Sequence, residues 1–201
     1  MPPNPWGSRN RRRIGVLGGS FNPAHEGHLH ISLQALRCLA LDEVWWLVAP
    51  QNPLKPTAGM APLADRVARA RRVAGHPAIR VSALEADLGT RYTADTLAVL
   101  KRRFPATRFV WLMGADNLQQ IVRWDRWTRI FQWVAVAVFD RSPYSYPSLA
   151  GKAAQRFAHA RLSARRSALI AGTTPPVWTF LHVRRHPASA TAIRRGQSMP
   201  R

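Results

Sequence analysis

The stretch Gly18-Gly19-Ser20-Phe21-Asn22-Pro23-Ala24-His25-Glu26-Gly27-His28 holds the residue types and spacings best suited to chemistry. Adjacent glycines let main-chain N–H groups close on an anion with no Cβ in the way. His25 and His28 stand three residues apart across an expected helix start, so both imidazoles can donate hydrogen bonds to one phosphate. The positive end of the helix dipole adds to the same attraction. This describes a site for a phosphorylated ligand, with His25 and His28 as the catalytic pair and Gly18, Gly19, Ser20 and Phe21 as its main-chain cradle. Zinc fits poorly, because no third ligand lies nearby. Two other phosphate loops are excluded by pattern. There is no G-x-x-x-x-G-K-[ST], and Gly15, Gly18 and Gly19 do not make G-x-G-x-x-G.

Such a loop needs a strand before it and a helix after it, and the chain supplies both. Short apolar runs at Ile14 to Leu17, Glu43 to Val48, Ile79 to Ala83, Arg108 to Met113, Val134 to Phe139 and Val177 to Val183 read as strands. Gly27 to Ala40 reads as a helix with Leu29, Leu33, Leu36 and Ala40 on one face, and Pro62 to Ala74 and Thr93 to Phe104 read similarly. Runs apolar throughout, such as Val44 to Val48, belong in a parallel sheet covered on both faces. The expected fold is α/β, a doubly wound parallel sheet, with the ligand beyond the carboxyl ends of its strands. Pro50 to Pro62 and Ser142 to Gly151 read as loops, and Ala150 to Ile170 as helix. Residues 1–13 are expected to be a disordered basic N-terminus and 14–201 a single domain.

A chain of 201 residues with 46% hydrophobic content can bury a substantial core. Cys38 is the one cysteine, which excludes an intramolecular disulfide and a multi-cysteine zinc site and fits a cytoplasmic setting. No stretch reaches the ~18 apolar residues that span a bilayer. The formal net charge of +20 suggests a polyanionic partner. Lysine stands only at Lys55, Lys101 and Lys152, however, so the excess is nearly all arginine, which biased composition alone can produce. Neither zinc-finger spacing nor a ribonucleoprotein-type aromatic motif accompanies it, and nucleic acid is not the expected partner.

With its first loop matching G-x-[FY]-[DN]-x-x-H-x-G-H, the sequence resembles the nucleotidylyltransferase superfamily. Arg91-Tyr92-Thr93-Ala94-Asp95-Thr96-Leu97 is similar to the Y-T-x-D-T-L segment of bacterial nicotinate-mononucleotide adenylyltransferases, and Gly114-Ala115-Asp116-Asn117 to their G-A-D-[SN] turn. Trp124 follows at the matching offset. Ser189-Ala190-Thr191-Ala192-Ile193-Arg194 resembles S-[SA]-T-x-I-R, and Arg141 falls where the family has an arginine after its fifth strand. Asn22 replaces a commoner aspartate, and Gln51 to Lys55 departs from the family's second loop.

The resemblance implies a Rossmann-like nucleotidylyltransferase fold and adenylyl transfer from ATP to nicotinate mononucleotide, a step of NAD biosynthesis, with Mg²⁺ carried on the ATP phosphates and no protein metal site. It places Asp116, Ser189, Thr191 and Arg194 with the first loop on the ATP side, and Thr93, Trp124, Arg141 and Lys55 on the acceptor side. Other readings stay open. Thr93 and Asp95 also suit a helix start, Trp124 also suits a core, and Arg194 with Arg195 also suits a basic patch. A phosphopantetheine adenylyltransferase would share the first loop, and a basic nucleic-acid-binding module is the rival of another class. Class I aminoacyl-tRNA synthetases also carry H-x-G-H, but no K-M-S-K-S stretch is present.

Overall fold

The computed structural model describes residues 3–51, 59–141 and 144–184. The expected strands form as β1 (Arg13–Gly19), β2 (Glu43–Val48), β3 (Ile79–Ser82), β4 (Arg108–Gly114) and β5 (Ala135–Phe139). A two-residue strand β6 (Arg161–Leu162) precedes β7 (Trp178–Leu181). The helices are α1 (Glu26–Cys38), α2 (Leu63–Ala74), α3 (Leu84–Leu88), α4 (Thr93–Arg103), α5 (Ala115–Gln120), α6 (Trp127–Trp133), α7 (Ser145–Leu149) and α8 (Lys152–Arg156).

All seven strands lie parallel in one sheet, ordered β3-β2-β1-β4-β5-β7-β6. Alternate side chains serve opposite faces. Val16, Trp45, Leu47, Trp111, Met113, Val136 and Val138 point to one core with Leu84, Leu97, Leu100 and Phe131. Leu17, Val44, Trp46, Val48, Leu112, Ala137 and Phe139 point to the other with Ala35, Leu39, Val67 and Ala70. The fold is therefore the doubly wound α/β sheet expected, and its strand order reverses between β1 and β4. Their carboxyl ends, at Gly19 and Gly114, flank the crevice where such sheets bind ligands.

Three local expectations are corrected. Helix α1 turns Ser32 and Ala35 fully into the core, while Leu29, Leu33 and Leu36 are only partly buried. The small side chains bring the helix close to β2, where the Ser32 hydroxyl receives the Trp46 indole N–H at 2.7 Å and donates to the His28 carbonyl at 2.8 Å. Ser142 to Gly151 contains helix α7, and Pro147 is tolerated because it stands in the first turn. Ala150 to Ile170 is not one helix. After α8 it breaks at β6, where pairing with Trp178 and Thr179 outweighs the helix propensity of an Ala/Arg-rich segment, and a 3-10 stretch follows over Ala164–Gly172.

Residues 3–12 contain no helix or strand. Ser8 N donates to the Arg103 carbonyl at 3.0 Å, Arg12 pairs with Glu43 at 2.7 Å and Arg13 with Asp42 at 3.1 Å. Among the described residues no helix is long and apolar enough to cross a membrane.

Candidate active site

Strand β1 ends at Gly19 and helix α1 begins at Glu26, so the first loop sits at the mouth of the β1–β4 crevice. Gly18 is required there for packing as well as for anion approach. A Cβ on it would come within 2.4 Å of the outer ring of Trp111, which passes directly beneath. Phe21 holds φ at +46°, and its ring turns into the core to stack on Trp46 at 5.1 Å. Only its main chain is left for the cradle.

The two histidines close the start of α1 on each other. His25 is the N-cap, its Nδ1 accepting the Gly27 N–H at 3.1 Å, and His28 Nδ1 accepts the His25 N–H at 3.2 Å. This is a capping box in which imidazoles replace the usual hydroxyl and carboxylate. Each Nδ1 must keep its lone pair to accept these bonds, so each neutral ring carries its proton on Nε2. The rings lie 3.9 Å apart, and His28 packs 4.7 Å from Phe21. The spacing read as two donors for a phosphate thus also fixes the tautomer that makes them donors.

Two residues that hold this loop were not singled out from sequence for that role. Arg66 on α2 is 3% exposed and donates to four main-chain carbonyls: Ser20 and Ala49 at 2.7 Å, and Ala61 and Pro50 at 2.9 Å. It binds the first loop to the one after β2, and burial pushes its pKa down. Asn22 does the same from the other side, donating to the Gly59 carbonyl at 3.0 Å and accepting from Ala61 N at 3.3 Å. A buried guanidinium in an Arg-rich helix carries no local signature. Asn22 was legible only as a departure from aspartate.

Across the crevice, Gly114 passes the chain from β4 into α5, and the Asp116 carboxylate folds back over it. A Cβ on Gly114 would meet Asp116 Oδ1 at 2.4 Å. Asp116 Oδ2 accepts from Arg141 at 3.1 Å, while Oδ1 is buried with no hydrogen-bond partner among the described residues. Thr93 opens α4, but the N-cap is Tyr92 and makes no side-chain cap, so the Thr93 hydroxyl is not a capping group. Asp95, in the same first turn, pairs with Arg126 at 2.8 Å. That bond ties the head of α4 to the turn carrying Trp124, which is half-buried and meets Trp111 edge-on at 6.3 Å. Trp111 therefore touches both ends of the site. Lys55, Ser189, Thr191 and Arg194 lie outside the described residues.

Beneath the head of α4 is a buried carboxyl that sequence reasoning missed. Glu85 on α3 is 7% exposed and accepts from the Thr96 hydroxyl at 3.1 Å, and Thr96 in turn bonds the Thr90 hydroxyl at 2.9 Å. Burial pushes its pKa up to about 7, with the Thr96 bond acting weakly against it. Among the described residues no group of three or more His, Cys, Asp or Glu could hold a metal ion.

Comparison with known proteins adds three findings. The profile of the Cytidylyltransferase-like family matches residues 16–196. The chain is 52% identical over 182 residues, covering 90% of itself and 98% of the relative, to a protein of Methylorubrum extorquens strain PA1 named probable nicotinate-nucleotide adenylyltransferase. A protein of Cereibacter sphaeroides strain ATCC 17023 with the same name is 50% identical over 181 residues, covering 90% of this chain and 95% of its own. Among solved structures, Plasmodium falciparum nicotinic acid mononucleotide adenylyltransferase complexed with NaAD superposes with a TM-score of 0.69. That match covers 92% of this chain and 83% of the other, and at 16% identity it speaks for the fold.

Proposed function

The chain belongs to the cytidylyltransferase-like family, and on that premise we propose the reaction that its site performs and the part each residue takes in it. It is a nucleotidyltransferase that condenses ATP with nicotinate mononucleotide, giving nicotinate adenine dinucleotide and pyrophosphate, a step of NAD biosynthesis. The names of its relatives favour this over a phosphopantetheine acceptor and over a nucleic-acid-binding module. Residues 14–201 are taken as one domain, since a single sheet runs from β1 to β7.

A phosphate oxygen of the mononucleotide attacks the α-phosphorus of ATP, and the bond from that phosphorus to the oxygen bridging the β-phosphate breaks. The attacking oxygen is already anionic, so no general base is required, and the work is alignment and charge stabilisation. The observation carrying the reading is the imidazole capping box at the strand-order reversal, which fixes Nε2–H on both His25 and His28. These groups donate to the ATP phosphates, His28 to the α-phosphate, with the main-chain amides of Gly18, Gly19, Ser20 and Phe21 beside them. Ser189, Thr191 and Arg194 hold the β- and γ-phosphates. Asp116 acts on the ATP side, its buried Oδ1 without a partner among the described residues. Thr93, Trp124, Arg141 and Lys55 surround the mononucleotide, with Trp124 stacking on the pyridine ring.

Mg²⁺ arriving with ATP would supply charge neutralisation for the departing pyrophosphate. A metal carried by the triphosphate and water would find one carboxylate oxygen without a hydrogen-bond partner among the described residues there, Asp116 Oδ1. The deciding assay is pyrophosphate release from ATP and Mg²⁺ with nicotinate mononucleotide, nicotinamide mononucleotide and phosphopantetheine supplied separately. Turnover with the first is expected, and release with phosphopantetheine alone would overturn the acceptor assignment.

A further inference from the structure

The acceptor side stands on one group that the reaction leaves unused. Glu85 on α3 is buried, and among the described residues its carboxylate meets a single side-chain donor, the hydroxyl of Thr96 on α4. That hydroxyl is a junction. Besides Glu85 it reaches the Thr90 hydroxyl at 2.9 Å and the Tyr92 carbonyl at 3.3 Å, and the Thr90 N–H returns to the Glu85 carbonyl at 3.0 Å. The bonds enclose the turn between α3 and α4, which leads through Tyr92 into Thr93 at the head of α4.

We propose that Glu85 is a positioning residue for the acceptor end: through the hydroxyls of Thr96 and Thr90, its buried carboxyl holds the 90–93 turn that presents Thr93. The inference rests on the reading that places Thr93 beside the mononucleotide. Thr96 has one hydroxyl proton. With Glu85 ionised, that proton goes to the carboxylate, and Thr90 donates to the Thr96 oxygen. With Glu85 protonated, the carboxyl O–H donates to Thr96, whose own O–H then donates to the Tyr92 carbonyl or to the Thr90 hydroxyl. A change of charge on Glu85 therefore reverses the donors along the turn without moving a helix.

A carboxyl whose pKa stands at about 7 makes this exchange near neutrality. Asp87 on α3, Arg91 and Tyr92 on the turn, Asp95, Lys101, Arg102 and Arg103 on α4 and Glu43 on β2 are the titratable groups of the neighbouring elements. None of them contributes to the shift, which comes from burial opposed by the Thr96 bond. Asp95 and Glu43 are held in their own ion pairs with Arg126 and Arg12.

The test measures KM for each substrate separately from pH 5.5 to 8.5 in wild type, Glu85→Gln, Thr96→Val and Thr96→Ser, with amide hydrogen exchange over residues 90–96 in the ligand-free proteins. Wild type should show an acceptor KM that changes across neutrality while the ATP KM does not, and Glu85→Gln should flatten that profile. Thr96→Val should raise the acceptor KM about fivefold, the size expected for one lost hydrogen bond, and Thr96→Ser should restore it. Exchange over 90–96 should be faster in Thr96→Val than in wild type at the same pH, and faster in wild type than in Glu85→Gln only above neutrality, where the wild-type carboxyl is ionised. A wild-type pH profile in Glu85→Gln, or an equal rise of both KM values in Thr96→Val, would overturn the proposal. If Glu85→Gln does not fold, the Thr96 pair decides. If wild type turns over no nicotinate mononucleotide, the function reading fails, and the exchange data still decide whether Glu85 holds the turn.

Discussion

The proposed phosphate end of the site is made within one strand-to-helix junction, between Gly18 and His28, whereas the proposed acceptor end draws Thr93, Trp124 and Arg141 from three separate stretches. At the first end the main chain carries the geometry: each histidine caps the other, and Arg66 and Asn22 grip carbonyls and amides of the loops. At the second end side chains carry it, through Arg126 to Asp95, Arg141 to Asp116 and Glu85 to Thr96. A main-chain site needs little beyond the right local residues. One built from distant side chains depends on the ionisation of its partners, half-exposed at Arg126 and Arg141 and buried at Glu85.

The sharpest way to break this contrast is at His28. His28→Ala removes one phosphate donor, and kcat in the pyrophosphate-release assay should fall by roughly 10²–10³-fold. The loss of its capping bond should cost only about 1 kcal/mol in thermal stability. Wild-type turnover in that variant would leave the phosphate end without its catalytic group.

Glu85 tests the acceptor end through stability. Its folded pKa of about 7 lies above the ordinary 4.5, so between those values the folded protein keeps a proton that the unfolded chain releases. The associated stability is complete below the lower value and lost as pH rises through the upper one. Ionised Glu85 then costs the fold about 3 kcal/mol at alkaline pH, and Glu85→Gln should recover much of it. Urea unfolding of both proteins at pH 5 and pH 8 checks this. The variant should gain on wild type only at the higher pH, and an equal difference at both would show that Glu85 does not titrate in this range.

Gly18→Ala probes the place where the two ends touch. The added methyl would meet Trp111 at 2.4 Å, an overpacking that costs about 1–3 kcal/mol. Melting should detect the loss, and KM for ATP should rise more than KM for the acceptor, because Trp111 reaches Trp124 only edge-on. Equal rises would mean that the indole couples the ends more tightly than their separate construction suggests.

The same contrast explains what could be read from the sequence. Val44 to Val48 announces a strand covered on both sides because every residue in it is apolar, and H-x-G-H after two glycines announces an anion site because each part of it is local. β6 has two residues, too few for any period, and becomes a strand only because β7 offers it an edge. The face of α1 was misjudged because leucines outweigh Ser32 and Ala35 in any hydrophobic count, whereas close packing on the sheet favours the smaller pair. Glu85 and Arg66 look like ordinary charged surface positions. Their burial is decided by α4 and by the carbonyls of two loops, which no spacing along the chain reveals.

Arg66 has one consequence for ligands in general. Its donors are spent on carbonyls, and among the described residues no carboxylate pairs with it, so a positive charge is fixed behind the loop before any substrate arrives. That charge lends the crevice an attraction for any polyanion of suitable size. Affinity there is a property of the folded scaffold as much as of the groups that touch the phosphates, and pyrophosphate leaving the site must overcome the same attraction that drew ATP in.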